Sequence, residues 1–295
     1  LHIYIQMNIL DGKLVSQTLI EKIRNKIAKK QDVFRKPKMA IILIGHNPAS
    51  ETYVKNKIKS AESAGIDAEL IRYDEDVTQF ELVSKIEELN RDTSCDGMIV
   101  QLPLPKQINV NNIISTISPD KDIDGFHPLN FGKMALGQKS MRPATAYGIL
   151  KLLEYYQIDT KGKHVVVIGR SNIVGKPISI MLGNDFSVGR ATVTSCDINT
   201  PKSLLNEECQ KADIVIVAVG KPCLVTADMI KEGAVVIDVG INKLESGKLV
   251  GDCDFGAIAE KASWVTPVPG GVGPMTISGL ILNTYEAWKM KNLID

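Results

Sequence analysis

Short apolar runs rich in β-branched residues recur along this chain, and most are followed by a stretch of helical periodicity. They are MAIILIG (Met39–Gly45), AELIRYD (Ala68–Asp74), GMIVQLPLP (Gly97–Pro105), HVVVIG (His164–Gly169), ATVTSCD (Ala191–Asp197), DIVIVAVG (Asp213–Gly220) and AVVIDVG (Ala234–Gly240). Such strands alternating with amphipathic helices require parallel sheets covered by helices. The runs fall into two sets, and the spacing of the second is that of a Rossmann-like dinucleotide-binding half. The expected fold is therefore two α/β domains with a cleft between them. One is expected to comprise residues 7–146 and 275–295, the other residues 147–274.

The helices carry their own start and stop signals. After the Asn47-Pro48 turn a helix should run through Tyr53 and Lys57 to about Ala64, where Gly65 stops it. Thr78, with Glu81 three residues on, reads as a capping box before an amphipathic helix. NNIISTIS is expected to be a short helix, AYGILKLLEYYQ a longer one from near Thr145, and MTISGLILNTYEAWKMK the last.

Composition narrows the class. The 295 residues are 44% hydrophobic and 23% charged, as in a soluble globular protein, and a net charge of +1 gives no reason to expect nucleic acid. No apolar run reaches the roughly 18 residues of a membrane span. LHIYIQ lacks the features of a signal peptide and reads as an extension before a start at Met7. The five cysteines include no C-x-x-C pair and read as small apolar residues in a reducing cytoplasm. The four histidines show no metal-ligand spacing, so no catalytic metal is expected.

Six stretches carry groups suited to chemistry. In VVVIGRSNIVGKP a strand runs into Gly169 and a helix should begin near Val174–Gly175, aiming N–H groups and a helix dipole at an anion. Ser171 and Arg170 suit phosphate, although the spacing is not G-x-G-x-x-G and a ligand-free turn is the alternative. Asp197 ends the next strand, where an acid binds the adenosine ribose of NAD and repels a 2′-phosphate, or is simply a polar strand end. Tyr53 and Lys57 lie four apart on one helix face. A desolvated lysine is a usable base, but Lys55 and Lys59 equally fit a solvated face. Gln101 stands at a strand's carboxyl end, where open α/β sheets place ligands, and its amide can hold a lysine. In DKDIDG one of Asp120, Asp122 and Asp124 can grip two ligand N–H groups. TPVPGGVGPMT suits a stiff wall beside a flat ligand, or a structural crossover.

Together SETYVKNK, DGMIVQLPLP, DKDIDGFHPLN, GRSNIVGKP, AVVIDVGIN and TPVPGGVGPMT, in this order and spacing, resemble the bifunctional methylenetetrahydrofolate dehydrogenase/methenyltetrahydrofolate cyclohydrolase family over nearly the whole chain from Leu10. A short-chain dehydrogenase also carries Tyr-x-x-x-Lys, but there the glycine loop comes first; here the pair does. The resemblance implies oxidation of 5,10-methylenetetrahydrofolate by a nicotinamide cofactor and hydrolysis of the methenyl product to 10-formyltetrahydrofolate, a one-carbon donor for purine biosynthesis. It implies Lys57, Tyr53, Gln101 and Asp124 as the catalytic set, with Leu102, Pro269, Gly270 and Gly271 also against the folate. It implies Gly169, Arg170, Ser171, Ile173, Gly175, Asp197, Val219, Gly220, Gly240 and Ile241 against the cofactor, and a cytoplasmic homodimer formed through the nucleotide domain.

Two departures stand out. Ala146 in PATAYG takes the place of a usual proline, from which a modest change in helix entry is expected. In ATVTSCDIN, Asp197 and Ile198 replace the C-H-S of NADP-using relatives, so a hydroxyl is lost and a negative charge gained. NADP is expected from the resemblance, with Arg170 in its favour and NAD as the alternative.

Overall fold

The computed structural model describes residues 8–184, 186 and 188–294; the reading of residues 1–6 as an extension lies outside them. The elements, in order, are β1 (Asn8–Ile9), α1 (Gly12–Ala28), β2 (Lys38–Ile44), α2 (Pro48–Ser63), β3 (Asp67–Tyr73), α3 (Gln79–Arg91), β4 (Gly97–Val100), α4 (Val110–Thr116), α5 (Pro128–Ala135) and α6 (Ala144–Tyr155). They continue with β5 (His164–Ile168), α7 (Gly175–Gly183), β6 (Thr192–Cys196), α8 (Lys202–Lys211), β7 (Ile214–Val217), β8 (Val235–Asp238), β9 (Asn242–Lys243), β10 (Leu249–Val250), α9 (Phe255–Ala259), β11 (Trp264–Val265) and α10 (Val272–Lys291). The chain divides into two compact units, residues 17–144 with 277–294, and residues 8–16 with 145–276.

The first unit is built on a parallel three-stranded sheet in the order β3-β2-β4. Successive side chains of a strand point to opposite faces, and β2 uses both. Met39, Ile41 and Leu43 pack with Ile27 of α1, Val54 of α2 and Trp288 of α10, while Ala40, Ile42 and Ile44 pack with Leu82 and Ile86 of α3 and Ile113 of α4. Burial of each such side chain contributes roughly 1.5–3 kcal/mol. Trp288 has no exposed surface and still satisfies its indole, donating from Nε1 to the Arg35 carbonyl at 3.0 Å. Because β3 and β4 lie on opposite sides of β2, the strand order reverses between β2 and β4, and such a reversal leaves a crevice beyond the strands' carboxyl ends.

The second unit carries a parallel six-stranded sheet in the order β1-β11-β8-β7-β5-β6. From β5 the chain goes through α7 to β6 on one side, then through α8 to β7 on the other, so its reversal falls between β5 and β7.

β4 to β8 are shorter than their apolar runs, β2 and β3 match theirs in length, and α10 is longer. β4 ends at Val100 rather than Pro105, since Pro103 and Pro105 have no N–H for a ladder. α10 starts at Val272, three residues before Met275. The two-residue β1 pairs with β11, and residues 8–16 make their contacts with residues 145–276. Cys95, Cys196, Cys209 and Cys253 are buried; Cys223 is exposed, contrary to the reading of the cysteines as buried. Burial pushes the Cys209 thiol up to about 12, which leaves it inert.

Candidate active site and dinucleotide site

Lys57 reaches the first unit's crevice through the register of α2. Asn47 caps that helix, its side chain accepting from Ala49 N at 3.0 Å and Ser50 N at 3.1 Å, with Pro48 in the first turn. Ser50, Val54, Lys57 and Ala61 then form its buried face. Lys57 is only 9% exposed, while Lys55 and Lys59 stay in solvent. Its Nζ donates to Gln101 Oε1 at 3.0 Å.

Gln101 follows β4 directly, with its N–H on the Ile42 carbonyl of β2 at 2.9 Å, so it sits at the strand reversal. Its Nε2 donates to the Leu102 carbonyl at 2.7 Å, which turns the amide oxygen toward the lysine. Tyr53, one turn before Lys57, is 42% exposed, and among the described residues no hydrogen bond joins it to Lys57. Gln101 rather than Tyr53 holds the amine.

The three acids of DKDIDG have three different environments. Asp120 is exposed. Asp122 is buried, and its carboxylate accepts from the N–H groups of Gly125 at 3.1 Å, Phe126 at 3.2 Å and His127 at 2.8 Å, and from Asn130 Nδ2 at 2.9 Å. Met98 N donates to the Lys121 carbonyl at 2.8 Å and ties the segment to β4. The segment turns at Gly125, whose φ is 76° and where a Cβ would stand 2.2 Å from the Arg142 carbonyl carbon, so no side chain fits. Asp124 is thereby held with a carboxylate that receives no hydrogen bond among the described residues. Burial pushes its carboxyl above the ordinary range, Lys57 nearby draws it partly back, and Asp122 adds to the rise. Asp122 and Asp124 line one pocket with Val100, Leu102, Leu104 and Phe126. An unpaired carboxylate against apolar walls suits a flat ring that offers N–H donors.

Pro269, Gly270 and Gly271 belong to the other unit, in the turn before α10, where Lys13 N donates to the Gly270 carbonyl at 3.0 Å.

In the dinucleotide unit the expected cofactor residues gather at the carboxyl ends of β5, β6, β7 and β8. Gly169 leaves β5 at φ 116°, and a Cβ there would stand 2.2 Å from the Ala218 carbonyl oxygen beyond β7. A Cβ on Gly175, at the start of α7, would stand 1.9 Å from the Gly169 oxygen. This close approach builds the narrow strand–turn–helix that receives a phosphate at a helix N-terminus, so these residues fit a dinucleotide. Ser171 Oγ accepts from Val174 N at 3.1 Å and keeps its own proton to donate. Arg170 donates to Asp197 Oδ2 at 3.2 Å and to the Ser195 carbonyl at 2.6 Å. Ile173, Val219 and Ile241 present apolar side chains that are 42%, 36% and 44% exposed.

Three acids escape the sequence reading as organisers of these sites: Asp122, Asp238 and Asp252. The only sequence sign for the last is a glycine beside it, Gly251. Among the described residues no group of three or more His, Cys, Asp or Glu is placed to hold a metal ion, and no helix is long and apolar enough to cross a membrane.

Comparison with known proteins adds the following. Residues 10–124 match the model of the tetrahydrofolate dehydrogenase/cyclohydrolase catalytic domain, and residues 143–292 that of the NAD(P)-binding domain of the same family. The bifunctional protein FolD 1 of Geobacter metallireducens is 58% identical over 284 residues, covering 96% of this chain and 98% of the relative. The bifunctional methylenetetrahydrofolate dehydrogenase/cyclohydrolase structure from Campylobacter jejuni superposes with a TM-score of 0.93 at 47% identity, covering 96% of this chain and 99% of that one. The Trypanosoma brucei enzyme, solved with NADP and an inhibitor, gives 0.90 at 34% identity, covering 96% and 98%.

Proposed function

The chain belongs to the tetrahydrofolate dehydrogenase/cyclohydrolase family, and on that premise we propose how its residues divide the two reactions. It oxidises 5,10-methylenetetrahydrofolate to the methenyl form with a nicotinamide dinucleotide, and hydrolyses that product to 10-formyltetrahydrofolate. The observation that carries the assignment is the 3.0 Å hydrogen bond from Lys57 to Gln101 in the unit that also holds the unpaired Asp124.

Asp124 grips the pterin, its two oxygens accepting from a ring nitrogen and the exocyclic amine, which spends its charge on the ligand. Tyr53, half in solvent, lies along the folate. A dinucleotide held at the turns after β5–β8 would supply the hydride acceptor, and the loss of hydride leaves the substrate's one-carbon bridge cationic. Taking a proton from water requires Lys57 to react as the free amine, held by Gln101. Lys57 Nζ takes a proton from water as its oxygen attacks the bridge carbon. The new hydroxyl then gives up its proton as the carbonyl forms and the bond from that carbon to N5 breaks, N5 takes one proton in exchange, the other leaves to solvent, and the carbon stays on N10 as a formyl group.

NADP+ is the proposed acceptor. Arg170 is the cation available to a 2′-phosphate, but Asp197 already engages it at 3.2 Å and places a negative charge beside the same position. The margin over NAD+ is therefore narrower than an arginine without that partner would allow.

One assay series tests both assignments, following cofactor reduction and methenyl absorbance together. Lys57→Met should cut methenyl hydrolysis at least about a hundredfold, the scale of general-base catalysis, while folate still binds. Undiminished hydrolysis removes Lys57 from the role. In the wild type kcat/KM should be higher with NADP+ than with NAD+, and the reverse order would make Asp197 the deciding group.

A further inference from the structure

Two carboxyl groups, of Asp238 and Asp252, lie buried under the dinucleotide unit's ligand edge. The successive N–H groups of Val219 and Gly220, just past β7, both donate to Asp252 Oδ2, at 2.7 and 2.9 Å. Asp252 Oδ1 accepts from Asn242 Nδ2 at 2.8 Å. The Asp252 N–H donates to Asp238 Oδ1 at 2.9 Å, and Asp238, the last residue of β8, also accepts from Gly240 N at 3.0 Å and Cys253 N at 2.8 Å. Asp252 has no exposed surface and Asp238 almost none, and among the described residues neither forms an ion pair.

Their placement depends on two glycines. A Cβ on Gly240 would stand 2.3 Å from the Asp252 carboxyl carbon, and one on Gly251 would stand 1.8 Å from Asp238 Oδ2. Unpaired buried carboxylates are costly, and here only N–H dipoles offset them. Three of those dipoles, the N–H groups of Val219, Gly220 and Gly240, come from the turns beyond the adjacent strands β7 and β8, beside the β5–β7 reversal; the others come from Asp252, Cys253 and the Asn242 side chain. Drawing the N–H groups inward fixes both turns and leaves Val219 and Ile241 facing outward.

We propose that Asp252 is a positioning residue for the dinucleotide: it locks the Val219–Gly220 turn to Asn242 at the start of β9, and Asp238 anchors it from below. This rests on the dehydrogenase reading of the unit. It assigns Asp252 to cofactor affinity and not to the folate chemistry of Lys57.

The test is Asp252→Asn, which keeps the shape but places an N–H₂ or a weaker acceptor against two N–H donors. The KM for NADP+ should rise at least tenfold. The folate KM and the hydrolysis of preformed methenyltetrahydrofolate, which uses no dinucleotide, should stay within about twofold. Asn242→Ala, which frees one oxygen of Asp252, should raise the KM for NADP+ severalfold and decides the matter if Asp252→Asn does not fold. An unchanged KM for NADP+ in the folded variant, or a loss of methenyl hydrolysis parallel to the loss of dehydrogenase activity, overturns the proposal. Failure of the folate reading itself would appear differently, as absent methenyl hydrolysis in the wild type.

Discussion

The folate grip proposed for Asp124 comes at the expense of the unliganded fold. Its carboxylate is left without a donor and partly removed from water, so burial raises its carboxyl above the ordinary range. With the folded value above the unfolded one, the native state binds more protons between the two. Stability therefore falls as pH rises through that window and is flat above it. Asp124→Asn carries no such charge and should gain on the wild type as pH rises from about 4, the ordinary carboxylate value, to a plateau above the raised one. Denaturant titrations of both proteins across pH check this, and a stability difference independent of pH refutes it. The same variant should bind folate roughly ten- to a hundredfold more weakly, the scale of hydrogen bonds to a charged group, with NADP+ affinity unchanged. Residue types at this site were readable in the sequence: a lysine on a helix, an amide at a strand end and an acid in a loop. Which of Asp120, Asp122 and Asp124 stays unpaired was not, because that depends on where the backbone N–H groups of residues 125–127 point.

At the scale of elements, local signals held where the energetics are local. Thr78 and Glu81 form the capping box their spacing announces, with Glu81 N on Thr78 Oγ1 at 3.2 Å and Thr78 N on Glu81 Oε2 at 2.9 Å. Thr78→Ala should cost about 1 kcal/mol in urea denaturation with the denaturant slope unchanged; no loss would show that α3 is held by its Leu82 and Ile86 packing alone. Apolar periodicity likewise marks β2, whose two faces feed two cores. It overestimates β4, because the run continues through Leu102 and Leu104 where prolines have already ended the ladder. It misses β1 and β11, since two residues carry no period and become strands only through a neighbouring edge.

At the scale of the whole molecule, the open edge of the six-stranded sheet bears on assembly. Among the described residues β6 has a sheet neighbour on one side only, β5. An unpaired strand edge invites a second copy, and we propose a homodimer formed through the dinucleotide unit. Sedimentation should give twice the 32.3 kDa of one chain; a monomeric mass at micromolar concentration excludes it. The amino-acid order alone determined the alternation of strands and helices, the Asn47 and Thr78 caps and the glycine turn at Gly169, because these follow from dihedral preference and from groups within a few residues of one another. Only the tertiary structure decided that Lys57 turns inward to Gln101, that Asp124 remains unpaired, and that Asp252 binds two N–H groups some thirty residues away. Burial and hydrogen-bond satisfaction are properties of neighbours in space, and the chain acquires those neighbours only when its sheets assemble.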